Sequence, residues 1–104
     1  MKRVPQVSHL QQWIFSDGSQ PMQMRVMKAE EIGNQEHFHK LMVEYFYVIQ
    51  GHMKLAVNDV QMDMQPDDLI VVEPGERHVV VEKSDDLILL LLMPPPVPDD
   101  KVLV

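Results

Sequence analysis

The fold class that the sequence predicts is all-β, a sandwich or barrel of short strands, and three observations predict it. Apolar and polar residues alternate with period two over several stretches, turn residues interrupt the chain every few positions, and no helical period survives those breaks. Alternation signals a half-buried strand because successive side chains of a strand point to opposite faces.

Gln11 to Phe15 and Met22 to Met27 are the first expected strands, separated by Ser16-Asp17-Gly18. Ile32-Gly33-Asn34 then breaks the chain before Glu36 to His39, and the next strand, Glu44 to Ile49, stops at Gly51. The clearest signal follows. Met53, Leu55 and Val57 alternate with Lys54 and Ala56, and after Asn58-Asp59 the alternation resumes as Val60, Met62 and Met64. This predicts a hairpin with one buried face, turning at two residues whose side chains tolerate turn geometry. Pro66-Asp67, Pro74-Gly75 and Ser84-Asp85-Asp86 delimit three more strands, Asp68 to Val72, Val79 to Glu82 and Leu87 to Met93. Leu87 to Leu92 is apolar on both faces, which predicts a strand covered from both sides. The stretch from Pro94 to Asp100 holds four prolines and is excluded from a central strand, since proline has no donor for the ladder; an extended surface tail is expected.

A length of 104 residues suits one domain, 1–104, with a core at about 22–93 and a Pro-rich extended tail at 94–104. The net charge of −7 argues against nucleic acid or an anionic membrane as partner, because both need clustered Lys and Arg. No cysteine is present, which excludes disulfides, thiolate nucleophiles and Cys-ligated zinc. Any metal must be held by nitrogen and oxygen. The first residues lack the apolar run of a secretory signal, and the longest apolar run, Leu87 to Met93, is far short of the roughly 18–20 residues that span a bilayer. A soluble cytoplasmic protein is expected.

The residues with evident chemistry are His37, His39, Glu44 and His78. His37 and His39 are two apart on an expected strand and share a face, with Phe38 pointing away. Glu44 lies five residues past His39, an odd offset that would turn it outward unless the chain bends between Lys40 and Val43. His78 follows the Pro74-Gly75 turn, which can aim the first side chain of a new strand inward. Imidazole and carboxylate together suit Fe, Mn, Ni, Zn, Co or Cu better than calcium or magnesium. Three nitrogens and one oxygen leave about two open positions on an octahedral ion, where substrate, water or dioxygen could bind. A tetrahedral zinc would instead be saturated and purely structural. His9 and His52 have no partner at ligand spacing, and the nine methionines read as core filling.

At these residues the chain resembles the cupin superfamily. Gly33, His37, His39, Glu44 and Gly51 follow the order of its first motif, and Gly75 and His78 fall at the distance of its second. The likeness covers roughly Gly33 to Val81. It implies a small double-stranded β-helix barrel with His37, His39, Glu44 and His78 as ligands of a divalent transition metal. The chain departs from the pattern at Gly33, which has three residues between it and His37 where five are usual, at Asp67 in place of a glycine, at Glu73 in place of a proline, and at Glu82 where an asparagine is usual.

Phe38, Tyr45 and Tyr47 are expected to point away from the metal as an outer aromatic patch, covered by Trp13, Ile14 and Phe15 or by a second subunit. Cupins are commonly dimers, so the resemblance implies a homodimer. Two functions compete: a metal-dependent enzyme on a small-molecule substrate, dioxygenase-like or isomerase/epimerase-like, and a non-catalytic small-molecule binding or sensor cupin. The catalytic residues are unknown at this point; Arg25 and Arg77 are the cations available to clamp a carboxylate or phosphate.

Overall fold

A computed structural model describes residues 2–4, 23–93 and 98–104. In order, the strands are β1 (Lys2–Val4), β2 (Gln23–Lys28), β3 (His37–His39), β4 (Glu44–Gln50), β5 (Met53–Val57), β6 (Val60–Met64), β7 (Leu69–Val72), β8 (His78–Lys83), β9 (Ile88–Met93) and β10 (Lys101–Leu103). They form two five-stranded antiparallel sheets, ordered β1-β7-β4-β9-β2 and β10-β3-β8-β5-β6. From β2 onward the chain crosses from one sheet to the other at nearly every step and stays within a sheet only at the β5–β6 hairpin. This is the double-stranded β-helix expected from the motif.

That hairpin turns at Asn58 and Asp59, with φ of 49° and 69°. Both lie in the left-handed region that a two-residue hairpin turn demands, and Asn and Asp accept it better than other non-glycine residues. Asp67 also has positive φ, 73°, so the position where the motif carries glycine keeps the left-handed backbone. Gly51 is more constrained. At φ 76° a Cβ there would come within 2.9 Å of the Leu87 Cα and 2.5 Å of the Ser84 Oγ.

Three elements differ from expectation. A 3₁₀ turn at Ala29–Glu31 follows β2, β1 pairs with β7 at the edge of its sheet, and β10 pairs with β3. The last falls beyond the prolines, in a stretch that can donate to a ladder, and it takes the edge of the second sheet. The strand expected over Gln11 to Phe15, together with Trp13, lies outside the described residues.

Strand parity divides the core in two. Phe46 and Val48 of β4, Met53, Leu55 and Val57 of β5, Ile70 and Val72 of β7, and Leu89 and Leu91 of β9 meet between the sheets. Tyr45, Leu69, Val71 and Leu92 form a second buried cluster on the far face of the first sheet, with Tyr47 and Leu90 against it. β9 is therefore apolar on both faces because both are covered. Each such side chain contributes roughly 1.5–3 kcal/mol by burial. The single aromatic patch is corrected: Phe38 sits in the second sheet opposite Val102, whereas Tyr45 and Tyr47 are on the first. The bend after β3 carries the chain between sheets, which separates neighbours that sequence spacing alone places together.

Candidate metal centre

The four singled-out residues come from the ends of three strands. β3 supplies His37 and His39, β8 opens on His78, and His37 and His78 are direct ladder partners. β4 opens on Glu44 in the opposite sheet. Residues 40–43 bend out of β3 and re-enter in the other sheet, so the odd offset from His39 no longer turns Glu44 away. The Pro74-Gly75 turn is tied to β3 by a hydrogen bond from the Gly75 N–H to the His39 carbonyl, 2.7 Å, with Gly75 at φ 83°.

One ligand atom from each of His37, His39, Glu44 and His78 lies within 4.8 Å of the others. Glu44 Oε1 is 2.9 Å from His39 Nε2 and 3.0 Å from His78 Nε2. Glu44 and His78 are only 5% and 2% exposed; His37 and His39 are half-buried. The backs of the rings all meet acceptors. His37 Nδ1 is 3.0 Å from the Gln35 carbonyl and His78 Nδ1 is 3.0 Å from the Glu76 carbonyl. His39 Nδ1 is 3.1 Å from Asp100 Oδ2. Carbonyl and carboxylate oxygens only accept, so a proton on each Nδ1 satisfies all three contacts, and a ring that is neutral in that form turns an Nε2 lone pair forward. Two of those lone pairs face a carboxylate oxygen at about 3 Å, an arrangement that requires a cation between them or extra protons on the rings. The same spacing separates neighbouring ligands on an octahedral ion with bonds of roughly 2.1 Å. The donor set therefore fits a divalent transition metal.

Burial holds the His37 imidazole below its ordinary pKa, reinforced by the nearby His78 and Lys101 and opposed by its bond to the Gln35 carbonyl. Burial pushes Glu44 upward, but a protonated His78 donating to it, with positive charge on His39 and His37, outweighs burial and keeps the carboxyl below its usual range; a cation at the same place acts in the same direction. Both shifts favour the forms that bind metal, neutral imidazole and carboxylate.

The cluster forms the wall of a cavity of about 390 Å³ between the sheets. Met27, Ile32, Leu89, Leu91 and Met93 give it an apolar side, while Arg25, Lys101 and Glu31 supply charge. Among the described residues, neither Arg25 nor Lys101 has a carboxylate within ion-pair distance. Arg77, the other expected clamp, instead pairs with Asp59 at 3.0 Å and Glu36 at 3.5 Å and does not line the cavity. His52 is exposed and away from the cluster; His9 lies outside the described residues.

Sequence reasoning passed over Glu31, Lys101 and Asp100. Asp100 is 3% exposed. Its Oδ1 accepts the Leu41 N–H at 2.7 Å, its Oδ2 accepts the Met42 N–H at 3.3 Å, and its carbonyl accepts the Lys40 N–H at 3.0 Å. Nothing in the local pattern around a Pro-rich tail marks this residue, which acts on a loop about 60 positions away.

Comparison with known proteins agrees with the geometry. A Streptomyces nucleoside dehydratase superposes with a TM-score of 0.68 at 19% identity, over 86% of this chain and 73% of that one. KdgF from Halomonas sp. gives 0.58 at 19% identity, over 75% and 82%. At this identity both show the fold alone. An oxidoreductase from Arthrobotrys oligospora is 39% identical over 57 residues, 52% of this chain but only 22% of that protein's length. The pattern of the family described as "Cupin domain" matches residues 22–94, well over half of the sequence. Two sheets joined by crossing strands, a His, His, Glu and His cluster at one end and this match lead to one statement: the chain belongs to the cupin domain family.

Proposed function

We propose that this chain is a metal-dependent enzyme acting on a small molecule that carries an anionic group. The observation that carries the reading is the convergence of three imidazole Nε2 atoms and the Glu44 carboxylate on the wall of a cavity that also presents Arg25 and Lys101. His37, His39, Glu44 and His78 would hold a divalent metal, which would supply a Lewis acid at the cavity wall.

The chain's own residues supply the rest. Arg25 and Lys101 hold a carboxylate or phosphate at the cavity, where the low-dielectric apolar wall strengthens the attraction. Met27, Leu89 and Leu91 exclude water from the reacting end. Glu31 lines the same cavity without belonging to the ligand cluster, so it can take a proton from one carbon and deliver it to the neighbouring carbon, or return it to the opposite face of a rotated intermediate. That arrangement favours isomerisation or epimerisation. Dioxygenation is the second reading, supported by the 39% likeness to an oxidoreductase over half the chain.

The test is metal analysis of protein purified without added metal, followed by turnover of hydroxy acids, keto acids, sugar acids and sugar phosphates with and without dioxygen. Turnover that survives anaerobic conditions and is lost in Glu31→Gln supports isomerisation; strict dependence on dioxygen supports the second reading. Ligands that raise Tm but never give product identify a binding cupin instead.

A homodimer through the exposed edge of the first sheet belongs to the same proposal. Met24 and Val26, 67% and 57% exposed on its edge strand β2, support it. Light scattering should give twice the chain mass.

A further inference from the structure

We infer that Asp100 is a positioning residue of the metal centre: it fixes the proton of His39 on Nδ1 and shapes the bend that delivers Glu44. The inference rests on the metal reading above. His37 and His78 each fix their ring through a backbone carbonyl two residues earlier. His39 has no such local partner; its Nδ1 meets Asp100 Oδ2, contributed from 61 positions further along the chain.

A carboxylate is the one side chain that satisfies every partner. Oδ1 accepts from Leu41 N–H, and Oδ2 accepts from both Met42 N–H and His39 Nδ1–H. Both oxygens must accept, so an amide of the same shape fails in either orientation. With its NH₂ toward Leu41, two donors meet at 2.7 Å. With its NH₂ toward His39, the ring must move its proton to Nε2, the atom aimed at Glu44, and it then ceases to be a ligand. Together with the Lys40 N–H on the Asp100 carbonyl, three consecutive amides of the bend are held by one residue. That bend places Glu44 on the inner face, so Asp100 orients one ligand directly and a second through the backbone. β10 anchors the segment by pairing Lys101 with His39.

Ring-nitrogen NMR of the metal-free protein tests this without a substitution. His39 should carry its proton on Nδ1, as should His37 and His78; an Nε2–H tautomer at His39 overturns the inference. In Asp100→Asn, cobalt(II) affinity should fall roughly 10–100-fold, the usual effect of removing a carboxylate behind a ligating histidine, with the cobalt spectrum altered and His37 and His78 still protonated on Nδ1. An unchanged affinity and spectrum overturn it. Should Asp100→Asn fail to fold, the wild-type ring measurement still decides. Wild-type protein that takes up no cobalt overturns the metal reading, while the His39 tautomer continues to judge the role of Asp100.

Discussion

Along the inward face of β4, Glu44, Phe46 and Val48 follow one another at two-residue steps, and they belong to two different environments. Val48 is fully buried among apolar side chains with Met53, Met64 and Leu89. Glu44, four residues earlier, sits against three imidazoles on the wall of the cavity. Both ends are built from the same strands in the same sheets. The packed end is apolar throughout, whereas the open end gathers four donors that could hold a metal ion. Stability and chemistry are thus carried by opposite ends of one barrel, and substitutions should separate them.

The largest effect on stability is expected at the packed end. Met64→Ala, at a position with no exposure, should destabilise the protein by about 2–5 kcal/mol in urea or thermal unfolding. Cobalt affinity, measured well below Tm, should barely change, because Met64 does not line the cavity. A parallel loss of affinity would show that the two ends are not independent.

At the open end the sign should reverse. Glu44→Gln replaces a carboxylate oxygen that faces imidazole lone pairs with an amide that can donate to one of them. Metal-free protein at pH 8 should gain about 0.5–2 kcal/mol, in the range of substitutions that relieve a strained functional site. Metal affinity should fall more than tenfold, the effect of losing even a partner behind a ligand. A metal-free protein that becomes less stable would mean that the rings keep protons at that pH, and the lone-pair argument would need revision.

The smallest effect concerns the outer face, which should be indifferent to the site. Tyr47 donates to Asp67 Oδ1 at 2.5 Å, and this bond, aided by burial and by the Asp67 charge, pushes the phenol up to about 12. A raised phenol favours its neutral form in the folded protein, so its contribution is complete below the unfolded value near 10 and is lost as pH rises from about 10 to 12. Ultraviolet titration should show a tyrosine ionising near pH 12 that vanishes in Tyr47→Phe. That variant should bind cobalt as the wild type does; altered binding would mean that the outer face communicates with the centre.

Much of this was legible in the chain because period-two alternation is a direct record of burial. The Met53–Met64 hairpin, the doubly covered Leu87–Met93 and the left-handed turn at Asn58-Asp59 all follow from local geometry. The strand ends carrying His37, His39, Glu44 and His78 could be aligned from parity and two turns. The outer aromatics were misjoined, since parity says which face a side chain takes but not which sheet its strand enters. Arg77 was a candidate clamp for the same reason: its charge is visible in sequence, its partners Asp59 and Glu36 only in space.

The sequence by itself determined the all-β class, the turns and the identity of four inward-facing donors, because strand periodicity and turn chemistry act over a few residues. Only the tertiary structure decided that His39 faces Asp100, that Lys101 joins Arg25 at the cavity and that residues 40–43 bend from one sheet into the other. Those outcomes depend on hydrogen bonds and pairings between segments about 60 or more positions apart. No local signal records such pairings, since their partners meet only when the two sheets close.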